Sequence, residues 1–168
     1  MAENRKTPRL ALLGMLIALA MVLSWLEAQI PTLVAVPGMK LGLTNLVVLT
    51  ALYGLGAKEA VFLNFVRILL VGLTFGNMVS FLYSLAGGIL SGIVMIGLKQ
   101  TKHFSVTTVS LAGGVFHNVG QILVAMVILE TASLVYYLPF LWLGGMVSGL
   151  LIGIVGSQLV KRLQGLWE

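Results

Sequence analysis

The chain contains no cysteine and no aspartate, and only 9% of its residues are charged. Without cysteine there are no disulfides, thiol nucleophiles or thiolate metal sites. Diphosphate chemistry normally holds magnesium through carboxylates, and five glutamates with no aspartate argue against a metal-dependent catalyst of that kind. Soluble domains carry about 25% charged residues, so a charge content this low rules out the polar shell of a soluble fold. What remains is 59% hydrophobic, with a mean hydropathy of +1.07. The composition predicts an all-α, multi-pass membrane protein, with residues 1–168 forming a single integral membrane domain.

Other chemistries are missing as well. No Walker loop is present, so the chain does not itself hydrolyse ATP in that way. His103 and His117 are the only histidines, and their separation does not suit a helical metal pair. The serines lack a histidine and acid at matching depth. The reading is therefore a non-enzyme with no metal site and no cofactor.

Six apolar spans can be drawn at residues 9–26, 41–55, 58–73, 78–98, 106–129 and 138–160. A full crossing needs about 20 residues, fewer if the helix is partial. The second and third spans are short and meet at Gly54-Leu55-Gly56, a turn that glycine makes easy. Net charge is +5, but the basic residues lie in small clusters between apolar runs rather than along a groove, which excludes nucleic acid as a partner. With both termini inside, eight of the ten Lys and Arg residues face the cytoplasm, leaving Lys40 outside and Arg67 within the bilayer. The opposite orientation would break the positive-inside rule. The basic start and apolar body of the first span resemble a signal peptide, but Trp25-Leu26-Glu27-Ala28-Gln29 is a poor cleavage region, so the span is read as retained.

Residues 28–40 contain Pro31, Pro37 and Gly38. On the outer face they form either a lid over a cavity or a plain connection. Small residues recur four apart at Gly14 and Ala18, Gly88 and Gly92, Gly145 and Gly149, and Gly149 and Gly153. This spacing lets helix backbones approach closely. Most of these pairs are read as packing within the bundle. Ala11, Gly14 and Ala18, on a first span with little other polarity, form a candidate face for a partner membrane protein.

The candidate site begins with Arg67. A cation at the bilayer centre costs about 3 kcal/mol on insertion scales, and the glutamates lie at the termini and at segment ends. The sequence therefore points to a counter-charge supplied by an anionic ligand. Asn64 is three residues away on the same helical face. On the fifth span, His117 and Gln121 are four apart with Asn118 beside them. At 1.5 Å per residue, Arg67 lies about 13 Å and His117 about 16 Å from the inner ends of their spans, so the two groups reach similar depth. Arginine makes charge-assisted bonds to carboxylate or phosphate; the amides and imidazole donate and accept. Asn45 and Asn77 are candidates for the cavity mouth. For the asparagines, simple bridging between helices is the competing reading.

Several stretches resemble one bacterial membrane family: Lys40-Leu41-Gly42-Leu43-Thr44-Asn45, Arg67 followed by Gly76, Ser84-Leu85-Ala86-Gly87-Gly88, and Gly113-Gly114-Val115-Phe116-His117-Asn118-Val119-Gly120-Gln121. It is the Gx transporter family, also labelled heptaprenyl diphosphate synthase component I, and the resemblance runs from the first span to the sixth. Its layout is similar to that of the substrate-binding S components of energy-coupling-factor (ECF) transporters. The resemblance implies a compact six-helix bundle in the bacterial cytoplasmic membrane, with an outward site capped by the loop after the first helix. It also implies that Ala11, Gly14 and Ala18 meet a transmembrane coupling subunit driven by cytoplasmic ATPases. The substrate would be a small anionic or amphiphilic molecule, such as an isoprenoid, quinone or flavin-related precursor. Prenyl diphosphate synthases themselves carry aspartate-rich magnesium motifs, which this chain lacks. The alternative is thus a non-catalytic membrane accessory to heptaprenyl diphosphate or menaquinone synthesis, or to quinone-linked electron transfer. A scaffold whose polar residues only knit helices together is the third reading.

Overall fold

A computed structural model describes residues 6–29 and 42–167. Among these residues the chain forms six α-helices and no strand: α1 (Lys6–Gln29), α2 (Leu43–Gly54), α3 (Ala57–Thr74), α4 (Met78–Thr101), α5 (Val106–Ile128) and α6 (Leu138–Trp167). A 3-10 turn at Ala132–Tyr137 leads into α6. Helices α1, α4, α5 and α6 are long and apolar enough to cross a membrane. The 12 residues of α2 span only about 18 Å, and α3 carries Lys58, Glu59 and Arg67. The fold is an all-helical membrane bundle.

The sequence places every span, but the long helices overrun it. Helix α1 gains a turn beyond residue 26, and α4 continues to Thr101. Helices project past the hydrocarbon layer because their backbone bonds are satisfied internally, whereas hydropathy registers only the oily portion. Local chemistry sets several ends. The Asn77 side chain accepts from Ser80 N at 2.7 Å to open α4, and Ser105 accepts from Thr108 N at 3.2 Å to open α5. Such caps satisfy backbone donors that the first turn leaves free. Gly56, at φ 127, makes the turn between α2 and α3.

Helix α2 is the hub. Val47, Val48, Leu49, Thr50, Ala51 and Leu52 are all buried, so it is enclosed on every side. Leu13 and Ala20 of α1, Leu63 of α3, Met95 of α4, Val109 of α5 and Ile152 of α6 complete the core around it. At the inner end, Lys99 Nζ donates to Leu52 O and lies 5.1 Å from the Tyr53 ring centre, pinning α4 to α2. The outward faces display Leu10, Phe62, Phe65, Ile93 and Val147, all more than half exposed. An aqueous monomer rarely shows so large an apolar surface; lipid is its natural solvent.

The two halves of the bundle pack differently. Helices α4, α5 and α6 associate backbone to backbone through glycine. A methyl at Gly120 would meet Ala86 O at 2.7 Å, and one at Gly145 would meet Gly114 O at 2.8 Å. Gly149 and Gly153 stand equally close to Ser110, Leu111 and Thr107 of α5. These glycines, with Gly88, serve packing within the bundle. Gly14 and Gly92 do not, because nothing lies within 4 Å of a methyl built at either. Helix α3 meets α4 less extensively than α4 meets α5, and the site lies between these two halves.

Candidate functional site

Arg67 is placed by the inner face of α3, with Leu63 and Ile68 buried on either side of it along the chain. It is 8% exposed. One terminal guanidinium nitrogen donates to Asn64 Oδ1 at 2.7 Å, the bond expected of residues three apart on a helix. Asn64 in turn directs its amide nitrogen toward Gly88 O of α4, at 3.5 Å. Among the described residues, Arg67 Nε is buried without a hydrogen-bond partner. Buried polar atoms are nearly always satisfied, so the Arg67 cation is held with less hydrogen bonding than its donors could use.

Arg67 lines a cavity of about 100 Å³. Its walls come from the end of α1, the start of α2, the second half of α3, the first part of α4 and the middle of α5, with Ser148 from α6. Apart from the stretch at the middle of α5, these belong to the half of the bundle that the charge pattern assigns to the outer side. Arg67, His117, Asn118 and Asn45 all line it. The arginine of α3 and the polar cluster of α5 thus share one chamber, although fifty residues separate them.

His117 is set by its neighbours. A methyl at Gly87 would stand 2.8 Å from His117 O and 2.9 Å from its ring, so α4 presses directly on it. Gln121 Nε2 lies 3.1 Å from His117 Nε2; with the amide as donor, the ring nitrogen accepts and its proton resides on Nδ1. Gln121 is buried and stands outside the cavity lining, so it orients the imidazole from behind. Asn118 Nδ2 donates to Leu141 O at 2.7 Å, tying α5 to α6 while lining the chamber.

Three sequence expectations need correction. Gln121 and Asn64, read as ligand-binding, do not line this cavity and instead bond to His117 and Arg67. Asn77 is not among the cavity-lining residues; its side chain is spent on capping α4, and Ser80, which it caps, lines the chamber instead. The idea that no carboxylate of the chain approaches Arg67 also fails. Glu27, at the outer end of α1, lines the same cavity, and its charge acts on the guanidinium. Its carboxylate accepts from Gly42 N, which ties α1 to the start of α2. Ser24 and Thr44, bonded to each other at 3.0 Å, add a second tie between these helices. The proposed lid, residues 28–40, lies outside the described residues apart from its first two positions, Ala28 and Gln29. Ala28 itself lines the cavity.

The sequence also misses the hydroxyl groups of Ser24, Thr44, Ser80, Ser84 and Ser148, all of which line the chamber. Each is common and unremarked alone. Their shared signal is depth: every one lies on the outer half of its helix. Chemically, the site offers a cation, an imidazole, amides and hydroxyls, with one carboxylate at its edge. That set favours an anion whose remaining oxygens are hydrogen-bonded.

The family model for heptaprenyl diphosphate synthase component I matches residues 16–159, from α1 to α6. The chain belongs to this family. The match covers every helix that walls the cavity, so the chamber is part of the family-related region and not an appendage to it. Comparison with curated proteins and with solved structures gives no match. Ala11, Gly14 and Ala18 are all exposed on α1, away from the chamber.

Proposed function

We propose that this family member is a membrane-embedded binding subunit that captures a small anionic or amphiphilic molecule from the outer side of the membrane. The observation carrying the reading is the buried, incompletely satisfied guanidinium of Arg67, facing a polar cavity. Intramembrane ionisable residues usually mark a ligand or ion path. In this reading Arg67 takes the charge of the ligand, while His117 and Asn118 hold its remaining acceptors. Gln121 and Asn64 fix the two principal groups. Transport then requires partners: a coupling protein docking on Ala11, Gly14 and Ala18, and ATPases in the cytoplasm, as in the S components of ECF systems.

The family description favours a second reading, a non-catalytic membrane accessory to heptaprenyl diphosphate synthesis. Both readings use the same anion-binding chamber and differ in the partner. Native mass spectrometry of gently extracted protein separates them. Retention of ATPase and coupling subunits supports transport, and retention of a prenyl-diphosphate-forming enzyme alone supports the accessory role. Protein carrying neither partner nor an anionic ligand, and unable to bind one when offered, would remove the ground for both.

A further inference from the structure

A second cavity lies directly behind the first. It is an apolar groove of about 180 Å³ between α2, α3 and α4, walled by Val48, Leu52, Phe65, Leu85, Ile89 and Ile93 among others. Its rim residues Val61, Phe65, Ile89 and Ile93 are more than half exposed, so the groove opens sideways to the lipid and not to water. Along α3 it runs from Ala60 to Ile68, eight residues or about 12 Å.

The groove and the polar chamber share a wall. Ile68 lines both, and Asn64, which lines the groove, accepts the hydrogen bond of Arg67, which lines the chamber. The polar chamber holds about 100 Å³, well below the roughly 300–1,000 Å³ of ordinary small-molecule sites. It suits a head group and little more. The groove is almost wholly apolar except for Asn64, at the point where it adjoins Arg67. Gly92 widens it: a methyl there touches nothing within 4 Å, so helix packing does not require glycine at this position. Gly88, one turn away, is by contrast filled by Asn64 and Ile68.

We infer that the groove between α3 and α4 holds the apolar chain of the ligand whose anionic head sits at Arg67, so that the ligand is a single-chain anionic amphiphile entering from the bilayer, with the Asn64 and Ile68 side chains that pack on Gly88 between the two cavities turning aside to admit it. This rests on the binding role proposed for Arg67 and adds the class of molecule. The head meets the cation, and the tail lies along Phe65, Ile89 and Ile93, where contacts with the groove walls replace those it made with lipid chains and gain by closer packing. A prenyl diphosphate and a fatty acid share this chemistry.

The test measures binding to purified protein in nanodiscs of neutral lipid. The probes are inorganic diphosphate, prenyl diphosphates of graded chain length, and fatty acids of graded chain length. For the wild type, affinity counted above the uptake by protein-free nanodiscs should rise at least tenfold from the shortest to the longest chain in one of the two series, which identifies the source. Gly92→Leu sends a side chain into the groove from a position where its first carbon meets nothing within 4 Å, and Val61→Trp closes the rim from the lipid side. Each should abolish the chain-length dependence while leaving diphosphate binding unchanged. If both folded variants keep the full dependence, the groove is not the tail site and the inference falls. If no probe binds the wild type better than it binds Arg67→Ala, the anion-binding role itself fails.

Discussion

Arg67 donates to Asn64 at 2.7 Å, and this single bond joins the two cavities of the protein. Asn64 lines the apolar groove and Arg67 the polar chamber. The pair therefore stands where a polar head and an apolar tail would meet. Several outcomes follow from that arrangement.

Arg67→Met should abolish binding of an anionic ligand, with at least a tenfold loss, without lowering the thermal midpoint of the ligand-free bundle. Replacing a buried charge by a well-packed apolar side chain is commonly neutral or stabilising. Thermal unfolding in detergent, with and without ligand, reads both effects. A marked loss of ligand-free stability would instead make Arg67 a structural residue.

Glu27→Gln should strengthen anion binding roughly three- to tenfold, consistent with Coulomb coupling across a partly wet cavity. Glutamine keeps an acceptor for Gly42 N while removing the charge that competes with the ligand for Arg67. Titration calorimetry of the two proteins checks this, and equal or weaker binding by the variant would contradict it.

Gly120→Leu should destabilise the bundle by about 1–3 kcal/mol or prevent folding, since overpacking forces backbone shifts. A first carbon there already meets Ala86 O at 2.7 Å. Gly92→Leu should cost clearly less, because a first carbon at this half-buried position meets nothing within 4 Å. Side-by-side unfolding curves decide whether the two glycines differ as drawn.

Asn118→Ala should cost about 1 kcal/mol, in line with the modest worth of interhelical hydrogen bonds in membranes. The loss leaves Leu141 O without its donor. A double-mutant comparison with His117→Ala would show whether the two residues act on ligand binding together, as neighbours in one chamber should.

If a coupling subunit docks on α1 as proposed, Gly14→Leu combined with Ala18→Leu should leave ligand binding intact and eliminate co-purification with that subunit. Both positions are exposed, and Gly14 has open space around it. Undiminished co-purification would move the docking face elsewhere.

What the sequence determined by itself was everything governed by short range. Composition settled the class, hydropathy located the six helices, and helical spacing paired Asn64 with Arg67 and His117 with Gln121. Those features depend on neighbours three or four residues apart, and the helix period makes them readable. The tertiary structure decided what depends on distant partners. It brought Glu27 into the chamber, gave Asn77 to a helix cap, and set Gln121 behind the imidazole. It also separated glycines of identical spacing into those pressed against backbone, such as Gly145, and those facing open space, such as Gly92. A glycine's spacing reports only that helices can approach there. Whether another helix actually arrives is set by how the other five pack with α2 and with one another.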